Sequence, residues 1–280
     1  MSTLAPSVPV APQRPAPTAR LTFGGIVKAE WIALTSLRAT HWALWIGAAL
    51  AFGLTVGMAF LWAFQGASAG DPRALDGVPP IGSIVVNGYI VAIAVAVVLG
   101  AAAYAKEDAT GSLRTRLAAA PRRGTTLLAM AAVTGATLFV FSIVGFALCA
   151  LACALVYSAF GAPVVIADPL LDLVLPLLGI GLGTALTGVF SLGIAALLRS
   201  ETWAVSLAFV FIFVMPMLLM SLPWEWAATA GEYVYGTTVQ TLPATGAGLT
   251  GDYLVDVFVT VLWAAALMVG GAIVMKRRDA

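Results

Sequence analysis

Charge is what this chain has least of. Only 10% of its 280 residues are Asp, Glu, Lys or Arg, whereas a soluble domain carries about a quarter. Little water-soluble body is left for a separate catalytic domain. There is a single histidine, His41, and there are two cysteines, Cys149 and Cys153. No Gly-Lys pair occurs anywhere, which excludes a phosphate-binding loop of the Gly-Lys-Ser/Thr kind. The chain is therefore not expected to be an enzyme that hydrolyses ATP by itself, and any such energy source must come from a partner.

What is present is apolar: 61% of residues are hydrophobic and the mean hydropathy is +1.01. Residues 39–70, 77–105, 124–167, 173–198, 202–224 and 257–275 contain no Asp, Glu, Lys or Arg, and each stretch is at least 19 residues long. A helix needs about 20 residues to cross a hydrocarbon core of roughly 30 Å. The expected fold is thus all-α and polytopic, with six transmembrane spans. The third stretch, 44 residues long, reads as one helix from about Thr126 to Phe160, because the Gly161-Ala162-Pro163 break lies near its end.

Charge placement supports six spans with both termini cytoplasmic. Arg14, Arg20, Lys28, Arg38, Lys106, Arg114, Arg116, Arg122, Arg123, Arg199, Lys276, Arg277 and Arg278 then fall inside, which is 13 of the 14 basic residues, all but Arg73. This is the positive-inside pattern. Splitting the third stretch in two would place Arg199 and the basic C-terminal residues on opposite sides. Asp71, Asp76, Asp168, Asp172, Glu225, Glu232, Asp252 and Asp256 sort to the outer side, so the net charge of +1 conceals a polarity. The basic clusters are short and flank the membrane, and they imply no nucleic-acid partner.

Residues 1–20, with proline at positions 6, 9, 12, 15 and 17, cannot bury a core and are expected to be disordered. No signal-peptide pattern precedes span 1, which is expected to direct insertion itself. From Leu21 to about residue 40 the pattern reads as an amphipathic helix in the inner interface, with Phe23, Ile26, Val27, Leu34 and Leu37 on one side. The alternative is a plain extension of span 1. Glu30 sits inside the apolar stripe and is expected to meet a basic or hydroxyl partner rather than lipid. Residues 106–125 form the largest inner loop. The outer segment 223–250, rich in Trp and Tyr, is too apolar for a free loop and reads as one or two short re-entrant or interfacial helices.

Packing signals are plain. Gly53 and Gly57 form a small-xxx-small pair in span 1, and Gly179, Gly183, Thr187 and Ser191 continue one along span 4. Pro216 is expected to kink span 5, and Pro176 the outer start of span 4.

Chemistry within the spans is sparse. A proton- or ion-coupled carrier normally places a carboxylate, a histidine or a broken helix pair at mid-membrane depth, and the six stretches hold no carboxylate, while His41 lies at their inner boundary. An intramembrane hydrolase would need paired acids, a Cys/His or Ser/Lys set, or a metal site. Cys149 and Cys153, one turn apart, read as buried packing thiols, in a geometry that disfavours a disulfide. No metal or cofactor is expected on this chain.

The loop after span 2 runs Lys106-Glu107-Asp108-Ala109-Thr110-Gly111-Ser112-Leu113-Arg114-Thr115-Arg116-Leu117-Ala118-Ala119-Ala120-Pro121-Arg122-Arg123. Gly111 permits a break from span 2, and Leu113 to Ala120 suffice for about two turns of helix across the membrane face. Read alone, this is either a force-transmitting rod or a solvated basic loop. Its Glu107, Gly111, Ser112, Arg114, Leu117, Pro121, Arg122 and Arg123 resemble the Glu, Gly-Ser/Thr, Arg, Leu, Pro-Arg-Arg pattern of type-2 ABC exporter permease subunits, especially actinobacterial ones. Ala29 to Trp42 resembles that family's amphipathic helix, Leu242-Pro243-Ala244-Thr245 its outer stretch, and Arg277-Arg278-Asp279-Ala280 its ending. Ile32-Ala33 stands where actinobacterial relatives commonly carry Thr-Lys. Three lysines against 11 arginines also suit a high-GC bacterium.

The resemblance, covering residues 21–280, implies a permease in the bacterial cell membrane: six spans plus a connecting helix, a second permease copy, and two separate ATP-binding cassette subunits carrying ATP and Mg. It makes Glu107, Gly111, Ser112, Leu113, Arg114 and Leu117 the coupling element, with Arg199 and Glu201 as a second contact. Spans 2 and 5 would line the pathway, at Asn87 and Tyr89 on one and Phe209, Phe213 and Met217 on the other. The last three share a face at i, i+4 and i+8, suited to a hydrophobic or amphipathic substrate such as a drug, antibiotic, peptide or lipid. Segment 223–250 would act as a cap or gate. A different class, a membrane-anchored scaffold or sensor regulated by an ATPase without transport, shares the docking loop.

Overall fold

A computed structural model of the protein describes residues 22–36, 38–69, 72–109, 123–166, 168–244 and 251–278. The described residues are 89% helical and include no strand. Among the described residues, six helices are long and apolar enough to cross a membrane: Arg38–Ser68, Ile81–Ala105, Gly124–Ala159, Leu170–Leu198, Glu201–Ser221 and Tyr253–Met275, called spans 1 to 6 below. A leading helix, Phe23–Ser36, precedes span 1. The chain is a multi-pass membrane protein. The ambiguous third stretch is one helix, Arg123–Ala159. It stops at Gly161, whose φ of 72° is left-handed, with Ala162 N–H donating to the Tyr157 carbonyl at 2.9 Å and Gly161 N–H to Ser158 at 3.2 Å. That paired closure is the Schellman stop that glycine permits.

Alternate crossings bring the leading helix, the end of span 2, the start of span 3, the turn at 199–200 and the C-terminal end of span 6 to one end of the bundle, the near end. The leading helix packs against span 3. Its Ile26, Val27, Ala33 and Leu34 are half-buried, while Trp31 and Ile32 are exposed. Glu30 lies in the inward stripe, 6% exposed, and interacts with a neighbour.

Span 4 is the hub and packs against spans 2, 3 and 6. Its small residues set the distances. A methyl on Gly100 of span 2 would overlap the Gly188 backbone of span 4, one on Gly188 would overlap Leu138 of span 3, and one on Gly193 would overlap Leu267 of span 6. Ser191 Oγ donates to the Val97 carbonyl of span 2 at 2.7 Å. Gly179, Gly183, Thr187 and Ser191 are all buried. The pair on span 1 differs from expectation. Gly53 and Gly57 face open space within the chain, and Gly47, Ala51, Thr55, Ala59 and Ala63 make the buried face instead. Both four-residue ladders are apolar, so composition alone cannot tell which one turns inward.

The prolines act through wide turns. A π-turn, Val210–Val214, sits immediately before Pro216, and another, Leu170–Val174, before Pro176. A proline clashes with the carbonyl four residues back and offers it no N–H, and widening the preceding turn accommodates the ring. At the start of span 4, Asp168 Oδ1 accepts from Leu170 N–H at 2.9 Å while its own N–H donates to Asp172 at 3.0 Å, a reciprocal cap. Span 2 opens as a short helix, Ile81–Val85, and passes through a tight turn, Val86–Gly88, into the helix Tyr89–Ala109.

Candidate functional site

Two regions hold the residues singled out by sequence. At the near end, Glu107 lies in the last turn of the helix Tyr89–Ala109, but its side chain and all of Gly111, Ser112, Leu113, Arg114 and Leu117 lie outside the described residues. Arg199 and Ser200 make the two-residue turn between spans 4 and 5, and Glu201 is the first residue of span 5. Arg199 ends span 4 with φ 56°, ψ 31°, the left-handed stop usually given to glycine or asparagine, and its N–H donates to the Ala195 carbonyl at 2.7 Å. Ser200 starts span 5, accepting from Trp203 N–H at 3.5 Å, and Glu201 occupies the first turn, where a carboxylate complements the helix dipole. Span 2 packs against this first part of span 5.

The second region is the segment between spans 5 and 6. It contains two short helices, Glu225–Glu232 and Tyr235–Thr241. The first packs along the end of span 5, with Gly231 against Leu219 and Met220, and its Trp224 and Trp226 are exposed and stacked at 5.6 Å. The second runs inside the bundle. Tyr235, Thr238, Val239 and Leu242 are fully buried, and Tyr235 stacks on Phe190 of span 4 at 3.9 Å. Phe190 lies past the middle of span 4 as counted from the far end. Trp263, near the middle of span 6, donates from Nε1 to the Tyr233 carbonyl at 3.0 Å. The segment is therefore a re-entrant hairpin whose tip reaches mid-bundle. Tyr235 is a core residue.

Backbone at that depth must be satisfied by protein, and the spans supply the partners. Tyr89 of span 2 donates from Oη to the Val239 carbonyl at 2.9 Å. Tyr235 Oη donates to Thr187 Oγ1 of span 4 at 3.1 Å. From span 6, Tyr253 Oη donates to the Leu242 carbonyl at 3.0 Å, Asp256 accepts from Thr241 at 2.8 Å, and the hydroxyls of Thr260 and Thr238 meet at 2.9 Å. Pro216 removes the helical donor of the Ile212 carbonyl, and Gln240 Nε2 reaches it at 3.5 Å while bonding Gly236 at 2.7 Å. Gly236 itself lies so close to that carbonyl that any side chain would overlap it. The hairpin is bonded to spans 2, 4, 5 and 6.

The pathway candidates divide. Tyr89 is 3% exposed and bonded inside the single chain, so it ties the hairpin in place and lines no open surface of this copy. A methyl on Gly183 would strike its hydroxyl. Asn87 is half-buried and caps its own helix, donating to the Ile84 carbonyl at 2.9 Å. Phe209 and Phe213 are half-buried and stack at 5.7 Å, while Met217 is 77% exposed. The π-turn between them alters the register that i, i+4, i+8 counting assumes, and the buried line of span 5 is Ala204, Ala208, Ile212 and Pro216. Sequence reading missed the hydroxyl set Thr187, Thr238 and Thr260. The available signal was polar residues recurring at matched depth in otherwise apolar spans.

No family model matches this chain, and no curated protein matches it.

Proposed function

We propose that this chain is the membrane-spanning subunit of an ATP-driven exporter of the type-2 ABC kind, seated in a bacterial cell membrane with both termini cytoplasmic. The observation that carries the reading is topological. The leading helix, the end of span 2 bearing Glu107, and the capped turn Arg199–Ser200–Glu201 all emerge at one end, which among the described residues holds every basic residue but Arg73. A protein docked there would touch the near ends of both span 2 and span 4, whose glycine contact passes movement as a rigid unit. Two ATP-binding subunits under two copies of this chain supply the ATP and Mg. The exposed face of span 5, with Met217, and Asn87 on span 2 are the surfaces offered to a hydrophobic or amphipathic molecule between the copies. The hairpin, bonded to four spans, follows their movement and does not swing alone.

The test is the ATPase activity of the chain purified with its nucleotide-binding partner, wild type against Glu107→Ala, over a panel of hydrophobic drugs and peptides. Turnover that needs the complex, responds to particular compounds and loses that response in the variant supports the reading. Absence of a copurifying ATPase, or turnover indifferent to compounds and to the substitution, favours the scaffold or sensor.

A further inference from the structure

Two cavities lie along spans 1 and 3 and meet at Leu44 and Leu138. The smaller, about 60 Å³, is at the near end between the leading helix and spans 1, 2 and 3, and its polar lining is Glu30, Thr40, Thr134 and Thr137. Glu30, Thr40 and Thr134 are all more than nine-tenths buried. The larger, about 420 Å³, continues toward mid-bundle between Gly47, Ala48 and Phe52 of span 1 and Phe141, Gly145 and Leu148 of span 3. Its walls are almost wholly apolar, and Trp45 meets Phe141 edge-on at 5.8 Å beside it. The order from near end to centre is polar, then apolar, which is the order of a lipid in the adjoining leaflet.

An apolar space of this size does not hold ordered water, which needs polar partners, and left empty it would forfeit dispersion contacts along its whole wall. At this depth the surrounding medium is hydrocarbon. A carboxylate has two oxygens and several lone pairs, so Glu30 has room for a further donor beside its protein neighbour. Hydroxyls and a buried carboxyl group at the headgroup level offer acceptor oxygens that suit an ammonium donor better than a purely anionic headgroup. We propose that the slot between spans 1 and 3 is a lipid site, holding one acyl chain, with an amine-bearing headgroup beside Glu30, Thr40 and Thr134. This site lies away from the hairpin and from the near-end turn, and it stands whether or not the chain couples to an ATPase.

Gly145 is the handle for a test, because it lines the slot and a Cβ there meets nothing within 4 Å, so Gly145→Phe starts a ring in the slot from an open position. The full-length protein would be placed in vesicles of mixed phosphatidylethanolamine and phosphatidylglycerol, one of the two carrying a diazirine midway along an acyl chain. After photolysis, labelled peptides are mapped. The expected result is severalfold more label on 44–52 and 138–149 than on the exposed face of span 6 at Leu262 and Val269, and loss of that excess in Gly145→Phe. Ala48→Leu, a smaller plug from span 1, is expected to reduce it partly and guards against a folding defect in the first variant. The ethanolamine probe is expected to outcompete the glycerol probe by about tenfold, the worth of one charge-assisted contact, and Glu30→Gln to abolish that preference. Uniform labelling of all lipid-facing peptides, or an excess unchanged by both plugs, would overturn the site. Crosslinks from this slot to a second copy of the chain would overturn it as well, by giving the space to protein. An excess with no headgroup preference would overturn the role of Glu30.

Discussion

Spans 4 and 5 are consecutive, similarly apolar and joined by two residues, yet the fold uses them in opposite ways. Half of the most apolar window of span 4 is buried, against 22% for span 5. Span 4 is fixed by glycines that bring backbones together, and Gly100 against Gly188 leaves no atom free to yield. Span 5 has a π-turn, a proline and an outer face of Trp203, Val214, Met217 and Leu218 open to whatever surrounds the chain. In hydrocarbon, close packing rather than apolarity separates core from periphery. A span rich in small residues is built to be surrounded, and one rich in large residues covers something or meets lipid.

The comparison breaks first at the glycines. Gly100→Val pushes a branched side chain into the Gly188 backbone, and Gly183→Val pushes one into Tyr89. Overpacking typically costs about 1–3 kcal/mol and more where the neighbour is backbone, so the expected outcome for Gly100→Val is loss of monodisperse protein in detergent. Gly53→Val on span 1 faces open space and is expected to leave the melting temperature unchanged. Equal damage from both would mean that the stripe Gly53–Gly57 is covered by a second copy.

Next in size is Tyr89→Phe, which keeps the ring but removes the donor to the Val239 carbonyl. A buried carbonyl left unpaired costs about 1–3 kcal/mol, expected as a clear fall in melting temperature. Tyr235→Phe is milder. Thr187 also donates to the Gly183 carbonyl at 2.7 Å, so its hydroxyl stays bonded, and about 1 kcal/mol is expected. If Tyr89→Phe were the silent one, the hairpin would not depend on span 2, and spans 4, 5 and 6 would hold it.

How much of this the sequence disclosed follows from what hydrocarbon hides. Depth is legible because charge cannot enter it, so the six spans could be read from where Asp, Glu, Lys and Arg are missing, the single long third helix from its Gly161-Ala162-Pro163 break and the sidedness of the basic residues, and the short helices before span 6 from the segment's aromatics. Facing is not legible, because lipid and core are equally apolar and no periodic contrast marks the inward side. That is why Gly53 and Gly57 looked like Gly179 and Gly183, and why Tyr89 looked like a lining residue. Glu30 is the instructive exception. As a carboxylate in an apolar stripe it had to be covered, and it is. The π-turns were invisible except through their prolines, and Gln240 acquires meaning only once Ile212 has lost its donor to Pro216.

The smallest expected effect on stability is the most informative for function. Met217 is 77% exposed, so Met217→Ala removes a side chain that touches little of its own copy, and surface changes of this kind stay within about 0.5 kcal/mol. Phe213→Ala would lose a stacked, half-buried ring and is expected to lower the melting temperature, since such ring pairs are worth about 0.5–1.5 kcal/mol beyond their buried area. If Met217 borders a path between two copies, its truncation should change which hydrophobic compounds stimulate the ATPase of the complex while leaving basal turnover and melting alone. A change in basal turnover with no change in compound profile would place the residue in an interface that the copies use to move. An unaltered profile and unaltered turnover would assign the exposed side of span 5 to lipid, and the surface offered to a transported molecule would then be sought at Asn87 on span 2.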